Sequence, residues 1–139
     1  MIVVDASVAA KWFLPEFATR WARALMSGSE LLTAPDIARS EVAAAIVRRV
    51  RTEGMQAEDA AAPLSTWKRT IDRRLITILP TEPLIDDAAH LAIEMRHTLQ
   101  DCLYLALARR NDALMVTADR RFAERSAAHH DRIELLAAD

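Results

Sequence analysis

Two aspartates at opposite ends of the chain stand where short apolar runs stop, and each has a hydroxyl residue two positions away. Asp5 precedes Ser7 by two residues, and Asp119 follows Thr117 by two residues. The carboxyl ends of neighbouring parallel strands meet at one edge of a sheet, where open α/β folds bind their ligands. We therefore expect the two carboxylates to lie together and to form a candidate metal site.

Two further acids, Glu41 and Asp101, are placed to join this set, because each lies in the first turns of a predicted helix. Two carboxylates about 4 Å apart repel by roughly 4 kcal/mol at an effective dielectric constant near 20, so a cluster stays ionised only around a cation. An all-oxygen site suits Mg²⁺ or Mn²⁺ better than zinc. The hydroxyls of Ser7 and Thr117 are candidates for orienting the carboxylates.

Each of these acids also has a simpler explanation. Asp5, Asp101 and Asp119 could each cap the helix that follows, and Glu41 could be a solvated side chain that interacts well with the helix dipole. Ser7 and Thr117 could bond locally to backbone at helix starts. The cluster interpretation depends on the convergence of all four acids.

The elements that would position these acids alternate between strand and helix. Predicted strands are Ile2–Val4, Leu31–Ala34, Leu75–Leu79, Leu114–Val116 and, at an edge, Ile133–Leu136. Predicted helices are Ser7–Leu14, Glu16–Met26, Ile37–Arg51, Glu58–Arg73, Leu84–Arg96, Asp101–Arg110 and Arg120–Ala127. Such alternation predicts an α/β fold, a three-layer α/β/α sandwich with a short, mainly parallel sheet of four to five strands.

Composition narrows the class of protein. The chain has 139 residues, 52% of them hydrophobic, which fits one globular domain (1–139). Its net charge of -2 lacks the strong positive field of proteins that coat nucleic acid nonspecifically. Cys102 is the only cysteine, which excludes an intramolecular disulfide and favours a reducing compartment. No apolar run is long enough for a membrane span, so we expect a cytoplasmic protein with no membrane partner.

Four motifs in order resemble those of PIN-domain ribonucleases, and in particular the VapC-type toxins of type II toxin–antitoxin pairs. They are Ile2-Val3-Val4-Asp5-Ala6-Ser7, Ala34-Pro35 with Ser40-Glu41-Val42, Asp101-Cys102-Leu103-Tyr104-Leu105-Ala106-Leu107-Ala108, and Val116-Thr117-Ala118-Asp119-Arg120-Arg121-Phe122. The chain departs from the usual pattern at Ala44, Gln100 and Arg109, but none of these departures removes an acid.

This resemblance implies a Mg²⁺- or Mn²⁺-dependent endoribonuclease that hydrolyses RNA. Asp5, Asp101 and Asp119 would bind the metal, and Glu41 would complete the catalytic set. It also implies a homodimer that is inhibited by a VapB-like antitoxin bound to an apolar groove on the early helices, where Trp12 or Trp21 would contact it.

Other residues carry weaker expectations. Arg120 and Arg121 are the preferred candidates for RNA binding because they directly follow the last acid. Other basic residues that lie near acids in the sequence are Lys11, Arg39, Arg48, Arg49 and Arg51. The four histidines show no metal-ligand spacing, so no zinc site is predicted.

Competing classes fit less well. A phosphoacceptor receiver domain would need adjacent acids after its first strand, and an aspartyl phosphatase would need a second aspartate at the position of Ser7. A PIN-like module that binds RNA or protein without cleaving it stays open as the alternative.

Overall fold

The computed structural model describes residues 1–14 and 19–136, and its centre is a five-stranded sheet. The strands are β1 (Ile2–Val4), β2 (Leu32–Pro35), β3 (Thr77–Leu79), β4 (Leu114–Thr117) and β5 (Ile133–Leu135). They are arranged in the order β3-β2-β1-β4-β5, and every pair is parallel. The five predicted strands are all present, and the α/β sandwich is confirmed.

Helices connect successive strands of the sheet. They are α1 (Ala6–Ala9), α2 (Thr19–Met26), α3 (Ala38–Thr52), α4 (Ala61–Asp72), α5 (Ile85–Met95), α6 (Leu99–Arg110) and α7 (Arg120–Ser126). Short 3₁₀ turns extend α1 at Ala10–Trp12 and precede α4 and α5 at Ala57–Ala60 and Glu82–Leu84. The described helices include none that is long and apolar enough to cross a membrane.

The central position of β1 in the sheet agrees with its burial on both faces. Val3 and Val4 of β1 have no exposed surface, as expected for β-branched residues in the middle of a covered parallel sheet. β1 pairs with β2 on one side and with β4 on the other, with Val4 opposite Val116. The chain order therefore reverses between β1 and β4, and this switch point is where doubly wound sheets open a crevice at the carboxyl ends of their strands.

Helix α6 is the central helix of the core. Its residues Cys102–Ala108 are all buried, which explains why its sequence lacks an amphipathic stripe. It packs against β1, β2 and β4 and against α5. Its predicted start at Asp101 is wrong: the helix begins at Leu99, because Thr98 accepts the backbone N–H of Asp101 and acts as the N-cap.

Other predicted boundaries also shift. The predicted helix from Ser7 to Leu14 is a single α-turn that continues as a 3₁₀ turn, and the one from Glu58 to Arg73 is divided between a 3₁₀ turn and α4. Pro63 lies in the first turn of α4, where a missing N–H costs no helical hydrogen bond. The predicted start at Glu16 lies outside the described residues.

The three tryptophans have different environments. Trp12 and Trp67 are buried, and their indole N–H groups donate to the carbonyl oxygens of Ala22 (2.7 Å) and Arg39 (3.1 Å). Trp21 on α2 is 49% exposed. Of the two tryptophans expected to contact a partner, Trp21 is therefore the more exposed, whereas Trp12 keeps 5% of its surface accessible.

Candidate metal centre

A cavity of about 390 Å³ opens at the carboxyl edge of the sheet, at the switch point between β1 and β4. All four predicted acids line it: Asp5 after β1, Glu41 on α3, Asp101 on α6 and Asp119 after β4. The tertiary structure thus brings together carboxylates that four separate elements carry.

Asp5 is the most enclosed of the four acids, with 5% of its surface exposed. Its Oδ2 accepts hydrogen bonds from the hydroxyls of Ser7 (2.6 Å) and Thr117 (2.7 Å). The two hydroxyls in turn accept the backbone N–H groups of Ala118 (3.0 Å) and Asp119 (3.1 Å), which holds them in place.

Burial is the main influence on the pKa of Asp5, because it penalises the charged carboxylate. It raises this pKa to about 6, although the two hydroxyl hydrogen bonds act in the opposite direction. The negative charges of Asp101 and Glu41 raise the pKa of Asp5 a little further. A carboxylate in this position is stabilised when a cation enters the cavity.

Glu41 is held by a tyrosine that is distant in sequence. The Tyr104 hydroxyl donates to Glu41 Oε1 at 2.7 Å, and Tyr104 has no exposed surface. Partial burial raises the pKa of Glu41, while this hydrogen bond opposes that effect. Burial also raises the pKa of Tyr104, so its hydroxyl stays protonated and remains a donor.

Asp101 and Asp119 are held differently. Asp119 Oδ1 accepts the backbone N–H of Phe122 at 3.1 Å, so Asp119 does cap α7 as the simpler explanation predicts. His97 Nε2 lies 2.7 Å from Asp101 Oδ2. One ligand atom from each of His97, Asp101 and Asp119 can be chosen so that all three lie within 4.8 Å of one another.

The capping explanation fails for the other two aspartates. Asp5 precedes α1 but makes no side-chain capping bond, and the cap of α6 is Thr98. Asp119 both caps a helix and lines the cavity, so the two interpretations of that residue are compatible.

One oxygen of each carboxylate is used in these hydrogen bonds. Among residues 1–14 and 19–136, the second oxygen of each acid accepts no hydrogen bond. Four carboxylates around one cavity, each with one oxygen available, supply the hard oxygen donors that Mg²⁺ and Mn²⁺ prefer. Among the described residues, the two acids of this set whose ligand atoms lie within 4.8 Å of each other and of His97 are Asp101 and Asp119. The residues present therefore fit such an ion.

Among the described residues, the cationic side chains that line the cavity are Lys11 and Arg48. Lys11 is 8% exposed, and Arg48 follows Glu41 by seven residues on α3. Arg120 and Arg121, the preferred candidates from the sequence, are exposed on the first turn of α7, and the described lining of the cavity does not include them.

Sequence reasoning did not identify Tyr104 and His97 as part of the site. Tyr104 follows Asp101 by three residues, a spacing that places both on one helix face, and this signal was available. His97 offered no such signal, because it precedes the helix and its spacing matches no metal-binding motif.

A parallel sheet with four convergent acids at its switch point defines an α/β protein with an acidic cavity whose oxygen donors suit a divalent cation. The model of the PIN domain matches residues 2–128. The chain belongs to the PIN-domain family.

Named relatives agree with this assignment. The chain is 30% identical to ribonuclease VapC3 of Pyrobaculum aerophilum over 126 residues, which cover 89% of this chain and 93% of that protein. It is 31% identical to ribonuclease VapC9 of Mycobacterium tuberculosis over 124 residues, which cover 89% of this chain and 90% of that protein.

Solved structures share the fold. A structure from Pyrobaculum aerophilum superposes with a TM-score of 0.68 at 21% identity and covers 89% of this chain and 78% of that one. A toxin–antitoxin complex from Klebsiella pneumoniae gives a TM-score of 0.63 at 16% identity, with both chains fully covered. At these identities the likeness concerns the fold alone.

Proposed function

We propose that the chain is a metal-dependent endoribonuclease and the toxin of a VapC-type toxin–antitoxin pair, which hydrolyses RNA phosphodiester bonds. The observation that carries the proposal is the set of four carboxylates, each fixed through one oxygen, around a single cavity. The ribonuclease names of relatives that match most of the chain support it. Residues 1–139 act together as one nuclease domain.

In this mechanism Asp5, Asp101 and Asp119 hold Mg²⁺ or Mn²⁺, and Glu41 completes the acidic set. When bound, the ion polarises a phosphoryl oxygen and lowers the pKa of a coordinated water. The hydroxyls of Ser7 and Thr117 hold Asp5 in one orientation, so its carboxylate needs no rearrangement when the substrate binds.

RNA must approach an acidic cavity, so the cations at its wall matter. Arg48 lines the cavity about 10.5 Å along α3 from Glu41, at 1.5 Å per residue. We infer that it binds a backbone phosphate near the scissile bond. Lys11 supplies a second positive charge at the cavity wall. Arg120 and Arg121 contact RNA beyond the cavity.

The proposed partner is a VapB-like antitoxin that occupies a groove of about 440 Å³ between the early helices and α4. Its lining is aromatic and basic: it includes Trp12, Phe13, Met26, Arg23, Arg69 and Arg73. This lining suits a segment with apolar anchors and acidic side chains. The proposed toxin acts in the cytoplasm and forms a homodimer. Sedimentation equilibrium would test the dimer by measuring the mass of the protein in solution.

The decisive experiment is incubation of purified protein with mixed cellular RNA in Mg²⁺ or Mn²⁺. Discrete fragments are expected, and they should be absent with chelator and with Asp119→Asn. Asparagine still caps a helix, so this variant keeps the fold and removes one charge. Fragments that persist with Asp119→Asn would contradict the proposed site, and RNA that is bound but never cut would favour the non-cleaving module.

A further inference from the structure

His97 lies outside the four-acid set, yet it makes a short contact with one of the acids. Its Nε2 is 2.7 Å from Asp101 Oδ2, and only 9% of the His97 side chain is exposed. Asp101 has no other side-chain hydrogen bond among the described residues, so His97 alone fixes the orientation of this carboxylate. The inference below rests on the proposed function, in which Asp101 binds the metal.

The imidazole is held on several sides. It stacks on the ring of Phe122, with centroids 4.8 Å apart and planes 20° apart, and Phe122 has no exposed surface. Its Nδ1 lies 3.4 Å from Nη1 of Arg125. The backbone is fixed as well: Arg96 ends α5 in the left-handed region (φ 53°), and the His97 N–H donates to Ala92 O at 3.1 Å.

The arginine determines which nitrogen carries the proton. A guanidinium group has donors and no acceptor, so in the contact with Arg125 the Nδ1 atom of His97 must accept. The proton is then on Nε2, which donates to Asp101 Oδ2. A second Arg125 contact, to the Arg96 carbonyl oxygen at 2.8 Å, keeps the guanidinium beside the ring.

Phe122 connects this arrangement to a second acid. Its ring supports His97, while its backbone N–H donates to Asp119 Oδ1 at 3.1 Å. Phe122, in the first turn of α7, therefore helps to orient both acids: Asp101 through His97, and Asp119 directly. His97 is therefore part of the same set of contacts that orients the acids of the cavity.

We propose that His97 is a positioning residue: its Nε2–H holds Asp101 Oδ2 and thereby keeps Oδ1 available for the divalent ion. The imidazole does not bind the ion itself, because the structure uses Nε2 as a donor to Asp101 and Nδ1 as an acceptor from Arg125. Direct ligation is the competing role, since the His97, Asp101 and Asp119 ligand atoms are close together.

The test is a titration of the whole chain with Mn²⁺. The EPR signal of free Mn²⁺ measures how much of the ion stays unbound. His97→Leu removes the donor and should weaken Mn²⁺ binding about 10- to 100-fold, the usual effect of losing a group that orients a ligand. His97→Gln places an amide N–H near the position of Nε2 and should bind within about threefold of the original protein. His90→Leu, at an exposed histidine on α5, is the matched control and should bind unchanged.

Two outcomes would overturn the proposal. One is unchanged Mn²⁺ affinity in His97→Leu. The other is a directly coordinated ¹⁴N in the pulsed EPR spectrum of the Mn²⁺-loaded original protein, which would make His97 a ligand. If His97→Leu does not fold, His97→Asn decides: its amide matches Nδ1 and not Nε2, so it should bind weakly where His97→Gln binds well.

The binding result is independent of RNA cleavage. If the original protein binds Mn²⁺ but cuts no RNA, the proposed function fails while the role of His97 is still decided. If it cuts RNA, His97→Leu should lower kcat and His97→Gln should restore it.

Discussion

At the scale of single residues, the burial of Asp5 has a measurable thermodynamic consequence. Burial raises the pKa of this carboxyl from 3.8 to about 6. Between these pH values the folded protein keeps a proton that the unfolded chain releases. Unfolding then releases a proton, so stability is lost as the pH rises through this window.

We predict that, without metal, Asp5→Asn becomes more stable than the original protein as the pH rises from 4 to 6. The difference in the free energy of unfolding between the two proteins should change by on the order of 3 kcal/mol across this pH window, in the direction that favours Asp5→Asn and in line with the raised pKa. Urea unfolding in chelator across this pH range measures it. Asp131→Asn, at an exposed aspartate, serves as the control, and a pH-independent difference for Asp5→Asn would disprove the argument.

At the scale of elements, α6 and α3 are joined inside the site by one hydrogen bond. Tyr104 on α6 donates to Glu41 on α3 at 2.7 Å, and these residues are 63 positions apart in sequence. Since the tyrosine is fully buried, its ring fills space whether or not the hydroxyl is present. The hydroxyl therefore serves to orient Glu41.

We expect Tyr104→Phe to fold normally, with a loss in unfolding free energy of about 1 kcal/mol, because one buried hydrogen bond is lost. RNA cleavage should fall about tenfold or more in kcat, since Glu41 loses its only side-chain donor among the described residues. Chemical denaturation and cleavage kinetics give both numbers. A variant with full kcat would show that the orientation of Glu41 does not matter.

Helix α3 also presents Arg48 to the cavity two turns beyond Glu41. Arg48→Ala removes one phosphate contact, so fewer counterions are released when RNA binds. The slope of log Kd against log salt should therefore fall by about 0.7. Affinity for RNA should fall while kcat changes little. Arg51→Ala, at an exposed arginine on the same helix, is the control, and equal salt slopes for the two variants would remove Arg48 from the interface.

At the scale of the whole molecule, a protein with a net charge of only -2 collects four acids around one cavity. Their mutual repulsion in the absence of a cation is a cost to the fold. An ion that binds only the folded chain removes this cost and also adds its binding free energy. We therefore expect metal binding to stabilise the fold through the carboxyl edge of the sheet.

We predict that Mn²⁺ or Mg²⁺ raises the melting temperature, and more at pH 7.5 than at pH 5, because the ion needs ionised carboxylates. At one hundred times Kd the gain in unfolding free energy is about 2.7 kcal/mol. Differential scanning calorimetry with and without chelator measures it. Asp5→Asn combined with Asp101→Asn should abolish the shift, and the same shift in that double variant would place the ion elsewhere.

The positions of the strands and most helices could be predicted from the sequence, because β-branched runs and helical periodicity are local signals. The candidate acids were found for a similar reason, as Asp5 and Asp119 end short apolar strands. Boundaries were less predictable: a threonine at position 98 can cap a helix or lie in a loop, and its contact with the Asp101 N–H decides between them.

The sequence by itself determined the α/β alternation and which four acids stand at element ends. Only the tertiary structure decided that β1 lies beside β4, which places the Thr117 hydroxyl on Asp5 across 112 residues. It also decided that Tyr104 holds Glu41, that His97 holds Asp101, and that Arg48 and not Arg120 lines the cavity. These contacts depend on strand order and side-chain direction, which packing of the whole core fixes and local periodicity does not encode.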